Sequence, residues 1–324
     1  MATNSGVSMS NAASSSYKSS LETFRLFSST DAKTNSGFGL FDAPELPALP
    51  LPPCVEVLAS EVSPSEKYAV DLVNLDGLTL VKGRVNTQQV FGLSNSDLVP
   101  GRYEGGLKLW EGSLDLVKAL CSEIKSGHAD FVGKQVLELG CGHGLPGIFA
   151  LLEGAGSIHF QDFNSEVLHC LTIPNLKANV SRKSCPSEMK LPNCENEAEV
   201  RFFAGDWSEI DKLLLSSSKQ NQGAGYDFIL MAETVYSISG LQNLYCLIKK
   251  CLRQPDGVVY MAAKKHYFGV GGGTRQFLSV VEKDGLMAHS LVAEVTDGSS
   301  NVREVWKLSF KCNENSVPTT LDPL

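Results

Sequence analysis

From about Pro100 onward, the apolar positions of the chain switch repeatedly between a helical spacing and short continuous runs. Leu114, Val117, Leu120 and Ile124 mark one face of a helix over Trp110–Ser126. "QVLEL" then reads as a strand, followed by a glycine-rich loop and a helix from Leu145 through Ala155. "SIHFQ" is a second strand. After it, Asn164 is the expected N-cap of a helix interrupted near Pro174. "EVRFFA" and "YDFILMA" are the third and fourth strands, "LQNLYCLIKKCL" a helix and "GVVYMAA" the fifth strand. "TRQFLSVVEKDG" is a helix ending at a glycine. "LMAHSLVAEV" and "EVWKLSF", joined by the turn-forming "TDGSSN", predict a closing antiparallel hairpin. Strands alternating with helices imply a parallel sheet, and continuous apolar runs imply one covered on both faces. The expectation is an α/β domain over 100–312 with seven strands and helices on both sides, followed by a tail at 313–324.

Upstream the pattern weakens. "YAVDLVNLDGLTLVKG" and "QQVFG" alternate and are rich in Val and Leu, which predicts a small β appendage within 54–99. Residues 1–53 divide into a serine-rich start, expected to be disordered, and a proline-rich linker, "APELPALPLPP". Ser181–Glu197 and Ser216–Gly225 are polar insertions.

Composition narrows the function classes. The net charge of −8 lacks the basic footprint of a general nucleic-acid binder. No apolar run approaches the ~18 residues a membrane span needs. The nine cysteines are odd in number, form no C-x-x-C pair and sit largely in apolar runs. They read as reduced, buried thiols in a reducing compartment. The expected protein is a monomer of the cytoplasm and nucleus, with no metal and no membrane.

The glycine loop, "VLELGCGHGLPG", admits two ligands. Gly142, Gly144 and Gly147 fit G-x-G-x-x-G, a dinucleotide pattern. Gly140, Gly142 and Gly144, preceded by Glu138, fit the E-x-G-x-G-x-G form of a methyl-donor site. Either ligand wants an acid at the end of the second strand for ribose hydroxyls, and Asp162 supplies it. Three features favour S-adenosylmethionine: the Glu138 carboxylate, which would repel a pyrophosphate; Asp206, placed to accept from an adenine amino group with Trp207 beside the ring; and the terminal hairpin. Glu233 and Tyr236, a Glu-x-x-Tyr pair at the end of the fourth strand, are the candidates for handling the methyl acceptor. Their alternative roles are a helix cap and core packing. His266, and a mobile loop at "GVGGG", are further candidates.

The sequence resembles the protein histidine methyltransferases, within the seven-strand methyltransferases that modify lysine or histidine in proteins. The resemblance rests on "SDLVPGRYEGGLKLWEGSLDL", "LELGCGHGLPGI", "IHFQDFN", "LTIPNLKAN", "RFFAGDWSE", "YDFILMAETVYS" and "KKHYFGVGGGTRQF". It implies a Rossmann-like sheet, S-adenosylmethionine as donor and methylation of a histidine in a large-subunit ribosomal protein. Lysine methylation is the rival within the group, and a nicotinamide-dependent oxidoreductase the more distant alternative. The resemblance also implies a donor site that includes Trp110 and Glu111 over the methionine end, with Gln161, Asn164, Gly205 and Ala232 around the rest. Glu138 stands where the family often has Asp, and Ala232 where a small hydroxyl residue is expected.

Overall fold

The computed structural model describes residues 51–62, 69–75, 77–93, 96–183, 198–217, 225–296, 298 and 301–311. Its elements in chain order are β1 (Val55–Val57), β2 (Ala69–Leu75), β3 (Leu78–Arg84), α1 (Thr87–Phe91), α2 (Glu111–Lys125), β4 (Gln135–Leu139), α3 (Leu145–Leu152) and β5 (Ser157–Asp162). There follow α4 (Ser165–Val167), a π turn (Leu168–Thr172), α5 (Ile173–Lys183), β6 (Glu199–Ala204), α6 (Asp211–Ser217), β7 (Phe228–Ala232), α7 (Leu241–Cys251), β8 (Val258–Lys264), α8 (Thr274–Asp284), β9 (Met287–Val295) and β10 (Arg303–Phe310).

The main sheet runs β1-β6-β5-β4-β7-β8-β10-β9. Strands β4 to β8 are mutually parallel, and β10 pairs antiparallel with both β8 and β9. The seven expected strands and the terminal hairpin are therefore present. Chain order steps outward from β4 to β6 and then returns to β7 on the other side of β4. That reversal opens a crevice at the carboxyl ends of the strands.

Successive residues of a strand face opposite sides. In β4, Val136 joins the apolar layer built with Leu116, Leu120 and Ile148, whereas Leu137 and Leu139 join the layer of Leu244, Ile248 and Phe277. Helices α2, α3 and α5 cover the first face, and α6, α7 and α8 the second.

Several expectations are corrected. Val55–Val57 belongs to the main sheet, antiparallel to β6 in the register Val55↔Ala204, and the appendage is only the β2–β3 hairpin. "QQVFG" is helical, because the Asn86 side chain caps Gln88 N–H at 2.8 Å and Gly92, at φ 67°, closes the other end. The irregularity expected at Pro174 is a π turn just before it. Helix α6 was not expected from the sequence. The tail and linker before Leu51, most of both polar insertions and Cys185, Cys194 and Cys312 lie outside the described residues. Among the described residues, Cys54, Cys141, Cys170, Cys246 and Cys251 are free thiols.

Candidate active site

A cleft of about 300 Å³ opens at the carboxyl ends of β4 to β7. Its floor is the glycine loop. Gly140, Gly142 and Gly144 all have positive φ, at 59°, 49° and 70°. A Cβ on Gly140 would come within 2.8 Å of Thr234, and one on Gly142 within 3.0 Å of the Gly106 carbonyl. Side chains are excluded there on both conformational and steric grounds.

Asp162 ends β5 beside this loop and lines the cleft. It accepts the Gly142 N–H at 2.9 Å and the Asn164 N–H at 3.1 Å. Burial dominates these backbone contacts and pushes its pKa up to about 6. Gln161 is fully buried and ties three loop segments together. Its carbonyl accepts Gly140 N–H at 3.3 Å and the Trp207 indole N–H at 3.0 Å, and its amide donates to the Gly205 carbonyl at 2.9 Å. Asp206, Trp207 and Gly205 line the far wall, with Asp206 accepting from Ser208 N–H at 2.9 Å and from its hydroxyl at 2.6 Å.

Residues 101–110 form the opposite wall. Asn164 anchors this segment, accepting Glu104 N–H at 3.1 Å and donating to the Arg102 carbonyl at 2.9 Å. Tyr103 is buried beneath it, and its hydroxyl accepts the Leu107 N–H at 3.0 Å. Trp110 stands at the N-terminus of α2, where its indole donates to the Gly105 carbonyl at 3.0 Å.

At the end of β7, Ala232 lines the cleft and Glu233 takes a left-handed φ of 58°, the described non-glycine residue with positive φ. Glu233 is buried. Its carboxylate accepts Gly112 N–H at 3.2 Å and the Tyr267 hydroxyl. A Cβ on Gly112 would meet that carboxylate at 2.7 Å, so helix α2 approaches as closely as only glycine permits. Burial raises the Glu233 pKa, while Tyr267 and Lys264 pull it back. Tyr236 donates its hydroxyl across the cleft to Glu104.

A profile of the family described as "Lysine methyltransferase" matches residues 101–284, more than half of the chain. The chain belongs to this methyltransferase family. It is 39% identical over 221 residues to the histidine protein methyltransferase 1 homolog of Dictyostelium discoideum, covering 68% of this chain and 63% of that protein. To the homolog of that name from Bos taurus it is 42% identical over 199 residues, covering 59% and 52%. To histidine protein methyltransferase 1 of Schizosaccharomyces pombe it is 35% identical over 215 residues, covering 58% and 60%. The chain thus spans less than two thirds of the length of these relatives.

In this member of the family the cleft brings together Trp110, Gly140, Gly142, Asp162, Gly205, Asp206, Trp207, Ala232, Glu233 and Tyr236. Gln161 and Asn164 stand behind the wall and position it. Gly144 sits deeper, packed on Thr172 and Phe160. Glu138 and Glu111 are off the wall as well. Glu138 faces α3, where it accepts the Gly147 N–H at 2.8 Å and burial lifts its pKa well above the usual carboxylate range. Its parity in β4 matches Val136, which places its carboxyl at the N-terminus of α3. Glu111 is exposed and lies 3.9 Å from Lys264 Nζ.

His266 is also exposed, with its backbone carbonyl accepting from Asn301 at 2.9 Å. In the "GVGGG" segment, Gly272 and Gly273 donate to the Tyr236 and Val235 carbonyls at 3.0 and 2.9 Å. Sequence reasoning missed Glu104, Tyr267, His143 and Thr234. Both Thr234 Oγ1 and His143 Nδ1 are buried polar atoms at the cleft without a hydrogen-bond partner among the described residues. All four lie within the stretches that carry the family resemblance, but nothing in those stretches singled them out from their neighbours.

Proposed function

We propose that this chain is an S-adenosylmethionine-dependent protein histidine N-methyltransferase acting on a large-subunit ribosomal protein, as a monomer in the cytoplasm and nucleus. The relatives' names support histidine as the target. The observation that carries the reading is one continuous cleft with Asp162 behind a glycine floor at one end and Glu233 and Tyr236 at the other.

The residues fit that donor. Glycines at positive φ leave a cradle that any Cβ would fill, and Asp162 offers ribose hydroxyls a buried carboxylate. Asp206 and Trp207 would hold the adenine, and Thr234 Oγ1 is an unsatisfied group on the wall between the two ends. The donor supplies a methyl group already activated by a sulfonium. What remains for the protein is positioning and electrostatics.

A neutral imidazole has one nitrogen with a lone pair and one N–H. The bare nitrogen must attack, so the site must accept the N–H of the other. Two groups at the end of β7 can do so: the Glu233 carboxylate and the Tyr236 hydroxyl oxygen.

The test is incubation with labelled donor and a ribosomal-protein extract, followed by mass-spectrometric assignment of the label. Label on a histidine is expected. Label on lysine, or none, refutes the proposal.

A further inference from the structure

Four carboxylates line the cleft: Glu104, Asp162, Asp206 and Glu233. Three are engaged near their own strand ends. Asp162 accepts from the backbone N–H groups of Gly142 and Asn164, Asp206 from Ser208, and Glu233 from Gly112 and Tyr267. Glu104 is placed differently. One oxygen accepts the Gly101 N–H at 2.7 Å within its own segment, and the other takes the Tyr236 hydroxyl from the facing wall.

That single hydrogen bond decides what Tyr236 can offer. A phenol has one proton and two acceptor lone pairs. With its proton committed to Glu104, the oxygen presents only lone pairs to the cleft. Burial, with the Glu104 carboxylate alongside, holds the phenol protonated, so the proton stays in the pair. Both partners are held in place: the Tyr236 carbonyl by Gly272 N–H at 3.0 Å, and the Glu104 N–H by Asn164.

We propose that Tyr236, held as a pure acceptor by Glu104, takes the N–H of the substrate imidazole and presents the opposite nitrogen to the methyl donor, so that this pair selects histidine. The proposal deepens the histidine reading above and rests on it. A lysine ammonium carries three N–H groups and no lone pair, and must lose a proton before it can attack. A fixed acceptor serves an imidazole at once, and the pair draws a proton only from the imidazolium product, which is far more acidic than a lysine ammonium, so that requirement stays unmet.

In the transfer, the imidazole lone pair forms the new N–C bond while the S–C bond breaks, its electron pair staying on sulfur. The positive charge passes to the ring, next to the Tyr236 oxygen and one hydrogen bond from the Glu104 carboxylate. The ring N–H proton can then move to Tyr236 as the tyrosine proton moves to Glu104, which is half-buried and returns it to water. Tyr236 is thus a catalytic residue and Glu104 a positioning residue. Glu233, clamped by Gly112 and Tyr267, holds α2 against the end of β7.

The experiment compares wild type, Tyr236→Phe, Glu104→Gln and the double variant in the labelled-donor assay, with donor affinity measured by calorimetry. Tyr236→Phe removes only the oxygen and is expected to lower kcat about 100-fold, with donor affinity unchanged. Glu104→Gln keeps an acceptor for Gly101 and is expected to lower kcat about tenfold. Because Glu104 acts through Tyr236, the double variant should be no slower than Tyr236→Phe. A role for Glu104 in merely bracing its loop would instead multiply the two losses.

The proposal is overturned by a Tyr236→Phe rate within about threefold of wild type, by a parallel loss of donor affinity, or by multiplying losses. Absence of histidine label with the wild-type enzyme sinks the underlying reading. Equal histidine label with wild type and Tyr236→Phe sinks this inference alone.

Discussion

Asp162 links the electrostatics of the cleft to its affinity for the donor. Its pKa of about 6 in the fold, against an ordinary 3.8, means that the folded chain binds the proton more tightly than the unfolded chain. Between about pH 4 and pH 6 folding therefore weakens as pH rises, and above pH 6 the ionised carboxylate costs roughly 3 kcal/mol. Ribose hydroxyls favour the ionised form, so donor affinity should climb between pH 5 and pH 7 and level off above. His143, pushed down to about 4 by burial, stays neutral throughout this range. Asp162→Asn should remove the slope and weaken donor binding at least about tenfold, one charge-assisted hydrogen bond being worth about 1.5–3 kcal/mol. Calorimetric titrations at several pH values check both, and a flat wild-type profile would remove Asp162 from donor binding. Asp162 was readable because its signal is local: an acid at a strand end, about 20 residues after a glycine loop. Glu104 was not, because its meaning comes from Tyr236, 132 residues away.

Helix α5 carries an unexpected connection from the appendage to the donor loop. Asn175 accepts Gly83 N–H at 2.6 Å and donates to the His143 carbonyl at 2.8 Å. One turn on, Asn179 pairs with both the N–H and the carbonyl of Val81, at 2.8 and 2.7 Å. Strand β3 is thereby sealed to the helix, and the helix braces the loop that floors the cleft. Asn175→Ala leaves a buried N–H and a buried carbonyl unpaired, each costing about 1–3 kcal/mol. The variant should melt earlier than wild type and bind the donor more weakly, whereas a surface asparagine change should do neither. Unchanged donor affinity alongside a lowered melting temperature would confine Asn175 to docking the hairpin. The sequence showed "LTIPNLKAN" as a helix because its apolar spacing is helical, but not which asparagines face inward, since a partner strand 92 or 98 residues upstream leaves no mark on local periodicity. "QQVFG" failed in the opposite way. The composition favoured a strand, but Asn86 and Gly92 supply caps at both ends, and these local hydrogen bonds outweighed propensity.

At the scale of the whole molecule, the sheet and its crevice follow from an alternation that the apolar pattern displays directly, and the crevice follows from where chain order reverses. What the pattern could not show is that the chain just before the appendage closes the sheet's far edge. The three residues of β1 are too few for a periodicity, and a proline-rich approach reads as linker. Yet Val55–Val57 pairs along β6, and Glu56 forms a bidentate pair with Arg201 at 2.6 and 2.7 Å. A Cβ on Gly205 would meet Cys54 Sγ at 2.4 Å, and Leu51 lines the cleft itself. Truncation should therefore have a sharp threshold. A chain beginning at Pro47 should keep its donor affinity and melting temperature. A chain beginning at Leu58 uncovers the edge of β6, strips the packing behind Gly205 and Asp206 and leaves Arg201 without Glu56. A loss of about 2 kcal/mol in a domain of this size lowers the melting temperature by roughly 4–8 °C. The wall that holds Asp206 and Trp207 should loosen with it, so donor affinity is expected to fall in the same variant. Thermal melts and calorimetry on the two truncations decide the matter: equal behaviour would make β1 an ornament of the sheet, and failure of the longer chain would put part of the site upstream of Pro47.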